Sequence, residues 1–284
     1  MTTPTQIRTW GQALDYTWQQ KWRRLRSADT NRINSGHVTD YCGRSLPLSR
    51  MERAGFWTEF QNELLDEGRN TSTVNRIVSA GTTVLEFSGM AGLHNYKKPK
   101  FARLKEGESR LTWFTKDQVK QLAWTAVDVF GRKDLADAIV FSAYTGIRQG
   151  ELRKLKSEDI DWDLMKVWIG GKPDRITKGG ETRAVPIHES LEELIRSRMG
   201  NELLFGCDWD SKDQLWYQFK KVRKHVGISE DYVWHTLRHS FGTWLGEVCH
   251  PRTIMDLMGH KTIDMVLKYV KATDKATSQA VMAL

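Results

Sequence analysis

Residues 95–110 read NYKKPKFARLKEGESR, a run with six Lys and Arg, one proline and few large apolar side chains. Such a stretch cannot sit inside a core, because it has too little apolar surface to offset the cost of ordering it and burying its charges. It therefore divides the chain into two blocks that must each build a core of their own. A length of 284 residues is long for one core and agrees with that division. The boundaries expected are a helical unit over 1–98, a basic linker over 99–111 and a second domain over 112–284.

The first block reads as helices over 5–26, 51–68 and 71–89, separated by polar or Gly-containing stretches. In the second, Thr115 opens a capping box with Gln118, and Val119, Leu122, Ala123 and Ala126 follow at helical spacing. From Lys166 the pattern turns to β-favouring residues on either side of Gly179-Gly180, which predicts a hairpin or a three-stranded antiparallel sheet. Ser190 with Glu193 predicts the cap of a next helix, and Leu215, Phe219, Val222 and Val226 predict another that stops at Gly227. The fold class expected is mainly α with a small antiparallel β-sheet in the C-terminal domain.

Several function classes fall away on composition. No apolar run approaches the ~20 residues of a membrane span, and the N-terminus has no signal-peptide pattern, so a cytoplasmic protein with no membrane partner is expected. Cys42, Cys207 and Cys249 are far apart and form no C-x-x-C pair, which supports neither a disulfide framework nor a zinc ribbon. The net charge of +8, most of it before residue 111, suits a polyanionic partner such as nucleic acid and also suits an ordinary solvated basic face.

The candidate chemistry lies in the second block. In WHTLRHSFGTWLGEV, 234–248, Leu237, Phe241, Trp244, Leu245 and Val248 form an apolar stripe, and His235, Arg238, His239 and Gly242 share another face. That face is cationic and lies at a helix start, which favours an anion. A metal site is disfavoured, since Thr236 stands where the zinc-protease pattern needs Glu and Arg238 would oppose a cation. Packed polar residues remain an open reading at this point. Arg148 and Glu151 are helical neighbours, so the carboxylate can hold the guanidinium, as it also would in a plain surface ion pair. Lys178 lies at the hairpin turn, either solvated or carried on an arm. Around Tyr269 the stripe of Ile263, Val266, Leu267 and Val270 predicts that the tyrosine lies off the core-facing side of its helix.

Taken in order, TGIRQGEL, TKGGETRAVPI, HTLRHSFGT and LMGH followed after eight residues by Tyr resemble the arginine, lysine, H-x-x-R and Gly-His boxes of the tyrosine recombinase (phage integrase) family. The helical first block resembles that family's core-binding domain. The resemblance implies a two-domain DNA clamp and a site-specific recombinase that integrates or excises a mobile element. Tyr269 would attack the scissile phosphate to give a 3'-phosphotyrosine and a free 5'-hydroxyl. Arg148 and Arg238 would hold the non-bridging oxygens, His235 and His260 would donate hydrogen bonds or move protons, and Lys178 would be the general acid. Glu151 would support the site through Arg148. No metal, ATP or other cofactor is implied, because the phosphotyrosine keeps the ester's energy. His239 follows the H-x-x-R arginine, and Lys261 the Gly-His pair, at positions the family leaves variable, so neither departs from the resemblance.

The partners implied are duplex DNA with specific core sites, three further copies of the chain in a homotetramer on two duplexes, and a directionality factor, in the nucleoid of a bacterial host. With helices starting near residue 6, no separate N-terminal arm-binding domain is expected. Lys21, Arg23 and Arg24 in KWRRLR, with Lys97, Lys98, Lys100 and Arg103, are the candidate DNA contacts. The C-terminal tail is expected to dock on a neighbouring protomer. Two rivals keep most of these residues: relaxation of DNA as by a type IB topoisomerase, and an inert DNA-binding regulator.

Overall fold

The computed structural model describes residues 6–107, 111–171, 182–206, 209 and 211–271, apart from the side chains of 212 and 271. The chain forms two compact units, 1–109 and 110–284. Among the described residues no helix is long and apolar enough to cross a membrane.

The first unit holds α1 (Trp10–Thr17), continued by one π-helical turn over Trp18–Trp22, then α2 (Ala28–Cys42), α3 (Leu48–Met51), α4 (Ala54–Asp66) and α5 (Thr71–Met90). The α5 helix is the centre of this unit. Asn70 caps it by accepting from the Thr73 N–H at 2.8 Å, and Val74, Ile77, Val84 and Leu85 are buried with Trp10, Val38, Trp57 and Phe60. A Cβ on Gly81 would stand 2.7 Å from the Trp57 ring, so glycine lets the indole lie against the α5 backbone. The helix expected over 5–26 is thus shorter, and residues 28–42, read as a polar connection, form α2. Its only buried residues are Ser35 and Val38, too few to print a hydrophobic period.

Residues 99–107, within the basic linker expected over 99–111, carry no helix or strand but are tied to the first unit. Phe101 stacks on Trp57 at 5.9 Å and 12°. Asn75 clamps the backbone of Leu104 from both sides, accepting from its N–H at 3.1 Å and donating to its carbonyl at 2.9 Å.

The second unit begins with α6 (Lys116–Asp128), whose Thr115–Gln118 capping box forms as the sequence predicts. It continues through α7 (Lys133–Thr145), α8 (Gln149–Leu152), β1 (Ile160–Asp161), β2 (Lys166–Ile169), β3 (Arg183–Pro186), α9 (Glu189–Arg198), α10 (Lys212–Val226), α11 (Trp234–Gly246), α12 (Pro251–Met258) and α13 (Asp264–Lys271). The three strands make one antiparallel sheet in the order β1-β2-β3, with Val167 opposite Val185, so the fold is mainly α with the small sheet expected. The α9 cap differs from expectation: His188, not Ser190, is the N-cap, its Nδ1 accepting from the Ser190 N–H at 3.2 Å. Gly227 ends α10 in the left-handed conformation, φ 77°.

Helix α11 organises this unit. Leu237 and Phe241 are buried among Ile139, Phe141 and Ile147. Ser240 Oγ accepts from the Phe114 N–H at 2.8 Å, and Trp244 Nε1 donates to the Phe114 carbonyl at 3.1 Å. Val248, read as the end of the stripe, is 79% exposed because α11 stops at Gly246. Cys42 and Cys249 are half-buried free thiols, and Cys207 lies outside the described residues.

Candidate active site

The site is assembled where α7 and α12 end and where α11 begins. Gly146 closes α7 at φ 60°, and a Cβ there would stand 2.4 Å from Phe241, so this turn is open only to glycine. The turn delivers Arg148 to the N-cap of α8 in an extended conformation. Its backbone N–H donates to Glu151 Oε2 at 3.0 Å, and its Nη1 donates to Oε1 at 2.8 Å.

Glu151 holds a second guanidinium that the sequence reading passed over. Arg183, on β3 and 6% exposed, donates from Nη2 to Glu151 Oε2 at 2.7 Å. Burial alone would push the Glu151 carboxyl up; the hydrogen bonds and charge of Arg183, with those of Arg148, outweigh it and hold the group at about 2. The glutamate is therefore an anion shared between two cations, joining the sheet to the arginine turn.

Arg238, in the first turns of α11, is 2% exposed. Its Nη1 donates to the Gly146 carbonyl at 2.5 Å and its Nη2 to the Met258 carbonyl. Both acceptors lie at helix C-termini, where free carbonyls and the helix dipole favour a cation. One planar fork thus ties the end of α7 to the end of α12. Gly259 follows at φ 60°, and the His260 N–H donates to the Met255 carbonyl at 3.0 Å, closing α12. The His260 ring then lies parallel to the Tyr269 ring, at 6.0 Å and 9°. Among the described residues its Nδ1, although buried, has no hydrogen-bond partner.

Tyr269 departs from the helical-wheel expectation. It is 1% exposed, while Ile263, placed in the core stripe, is 43% exposed. The reason lies on α11, in two glycines one turn apart. A Cβ on Gly242 would stand 3.0 Å from the Tyr269 ring, and one on Gly246 would stand 2.8 Å from the Tyr269 carbonyl oxygen. They form a groove in which α13 settles with its tyrosine inward, a contact that the periodicity of α13 alone does not encode. The Tyr269 hydroxyl lies 3.0 Å from His239 Nδ1, and the Lys268 ammonium sits 4.9 Å from the tyrosine ring centre.

The electrostatics are one-sided. Arg148, Arg183, Arg238 and Lys268 surround the tyrosine and three histidines, with Glu151 as the carboxylate among them. Desolvation, reinforced by these cations, lowers the half-buried His239 and the buried His260 to about 3 and the more exposed His235 to about 4, which leaves all three rings neutral at pH 7. Burial pushes the Tyr269 phenol up to about 12, against the pull of Arg238 and Arg148. No cluster of His, Cys, Asp and Glu among the described residues could hold a metal ion. The arrangement suits binding an anion beside a protonated tyrosine.

Six of the seven residues read as the site therefore meet: Arg148, Glu151, His235, Arg238, His260 and Tyr269. Lys178 lies outside the described residues. His239, Arg183 and Lys268 were missed, although His239 shares the face already read for His235 and Arg238. In the first unit, Lys98, Lys100 and Arg103 line a groove of about 700 Å³ with Asn31, Asn34 and Arg76. Lys21, Arg23, Arg24 and Lys97 are exposed and outside its lining.

Residues 112–276 match the model of the phage integrase family. The tyrosine recombinase XerA of Pyrococcus horikoshii is 28% identical over 236 residues, 78% of this chain and 77% of that protein. The tyrosine recombinase XerD of Listeria innocua is 32% identical over 139 residues, 45% of this chain and 47% of that protein. In fold, the chain resembles the Tn1549 transposon integrase solved with a circular intermediate DNA, with a TM-score of 0.78 at 16% identity over 98% of this chain and 100% of that one. It also resembles lambda integrase, solved as a tetramer bound to a Holliday junction, with a TM-score of 0.72 at 18% identity over 92% of this chain and 77% of that one. With more than half of its residues matched by the family model, and with named recombinases among its relatives, this chain belongs to the phage integrase family of tyrosine recombinases.

Proposed function

We propose that this tyrosine recombinase cleaves and rejoins duplex DNA at a specific core site through a 3'-phosphotyrosine on Tyr269, and so integrates or excises a mobile element. The observation that carries this reading is the Tyr269 hydroxyl seated at a histidine within a cluster of cations, of which Arg183 and Arg238 are buried. Arg148 and Arg238 hold the non-bridging oxygens, where charge grows in the transition state; one such donor is typically worth roughly 10² to 10³ in rate. Glu151 fixes Arg148, His235 and His260 serve the phosphate oxygens and proton movement, and Lys178 is the general acid to the 5'-oxygen.

Both units bind the duplex, the basic side chains of the first on phosphates, and four copies assemble on two duplexes. The relatives' named activity supports recombination, and solved integrases of this fold are bound to DNA. A directionality factor would bias integration against excision, and the place of work is the cytoplasm, at the nucleoid.

The test uses a nicked suicide duplex carrying the cognate site. A covalent adduct on a denaturing gel that disappears in Tyr269→Phe is the expected result. An adduct that persists assigns the nucleophile to another residue, and no adduct from the unaltered protein favours the inert regulator. Relaxation of supercoiled plasmid lacking the site would favour the topoisomerase reading instead.

A further inference from the structure

We infer that His239 is a further catalytic residue, whose Nδ1 takes the hydroxyl proton of Tyr269 as the tyrosine attacks the DNA phosphate. The inference rests on the recombinase reading above. A phenol held near 12 is a weak nucleophile, so its proton must leave during attack, and the arginines can stabilise the resulting charge but cannot accept the proton. Among the described residues, the one hydrogen-bond partner of the Tyr269 hydroxyl is His239 Nδ1 at 3.0 Å. This is the reach a general base needs. His260 presents its ring face to the tyrosine ring, and His235 meets His239 edge to face at 4.7 Å, so neither takes that position.

The groups facing His239 explain both its resting state and its use. From its own helix come His235 and Arg238; from α13 come Lys268 and Tyr269; from the turn after α12 comes His260. Half-buried among these, the ring stays neutral before DNA binds, and a neutral ring protonated at Nε2 accepts at Nδ1 and holds the phenol in place. A phosphodiester lying on Arg238 and Arg148 offsets the charges that oppose an imidazolium, and the charge growing on phosphorus favours it further.

In the cleavage step the bond from the Tyr269 oxygen to phosphorus forms and the bond from phosphorus to the 5'-oxygen breaks. The phenol proton passes to His239 Nδ1, and the leaving 5'-oxygen takes a proton from the general acid. On rejoining, His239 returns its proton to Tyr269.

Two variants separate base catalysis from simple support. In His239→Asn the side-chain oxygen can stand where Nδ1 stood and accept the bond, but it does not hold the proton; His239→Ala removes both capacities. Single-turnover adduct formation on the nicked duplex should slow by roughly 10² to 10⁴ in both variants, with gel-shift affinity and melting temperature of His239→Asn unchanged. A substrate with sulfur at the 5'-bridging position, whose thiolate leaves without a proton, should restore Lys178→Ala but neither His239 variant. Wild-type rates in His239→Asn would reduce His239 to a holder of the tyrosine, and recovery of either variant on the sulfur substrate would move its action to the leaving group; each overturns the inference while the wild-type adduct leaves the recombinase reading standing. A wild-type protein that forms no adduct overturns both.

Discussion

Glu151→Gln tests the ionic core of the site, because it keeps the side-chain volume and removes the one charge that Arg148 and Arg183 share. Only 10% of the Glu151 side chain is exposed, so solvent screens the interaction little. A carboxyl that burial would raise, yet which its partners hold at about 2 against an ordinary 4.5, contributes about 3 kcal/mol to the folded state at neutral pH, at ~1.4 kcal/mol per tenfold. That agrees with the ~3–5 kcal/mol typical of removing one partner of a buried pair. In a unit of this size each kcal/mol moves the melting temperature by ~2–4 °C, so the variant should melt about 6–12 °C lower at pH 7.

The folded value lies below the unfolded one, so the contribution is whole above about 4.5 and is lost as pH falls toward about 2. The gap between wild type and variant should narrow to about 1 kcal/mol by about pH 3. Differential scanning calorimetry across that range is the assay. A gap under about 2 °C at pH 7, or one that does not narrow with acid, would refute the account of Glu151 as a charge shared by two arginines.

Three further outcomes follow from the geometry. Arg238→Lys, like Arg238→Ala, should lose adduct formation by at least about 10²-fold, because an ammonium cannot reproduce the fork that reaches the Gly146 and Met258 carbonyls; single-turnover cleavage with gel-shift controls measures it. Gly242→Ala places a methyl 2.8 Å from Met258 Sδ and 3.0 Å from the Tyr269 ring, which should cost about 1–3 kcal/mol in denaturant melts and lower the cleavage rate with it. Trp57→Ala should cost about 3–5 kcal/mol in the first unit and free the segment at Phe101, read as rapid proteolysis near residues 97–107.

What the sequence shows and what it hides divide along contact range. Arg148 with Glu151, and His235 with Arg238, are legible because each pair lies within one helical turn, so spacing alone puts them on one face. The Thr115 capping box and the Gly227 stop are equally local. Arg183 is hidden because its partner Glu151 is 32 residues away on another element. The burial of Tyr269 is hidden because the groove that holds it belongs to Gly242 and Gly246, and no wheel drawn on α13 contains them. His239 sits on the face that the periodicity identifies, but its role depends on the Tyr269 hydroxyl 30 residues on. Helix α2 escapes for the opposite reason: its sequence is polar nearly all round, and too few of its side chains reach the core to mark it.

Helix α11 has a consequence for how this protein can change. Within thirteen residues, His235, Arg238 and His239 meet the tyrosine side, Leu237 and Phe241 fill the core, Ser240 and Trp244 hold the backbone of Phe114, and Gly242 and Gly246 seat α13. Thr236 bonds the Val233 N–H, and Trp234 packs edge to face on Phe219. Elsewhere a protein can loosen its scaffold and keep its chemistry, or the reverse. Here the two are written on the same letters, so a substitution that weakens the scaffold also moves the chemistry. Drift in this segment must therefore proceed by coordinated replacements across α11 and α13, and single changes will be tolerated far less than in the solvent-facing helices around it.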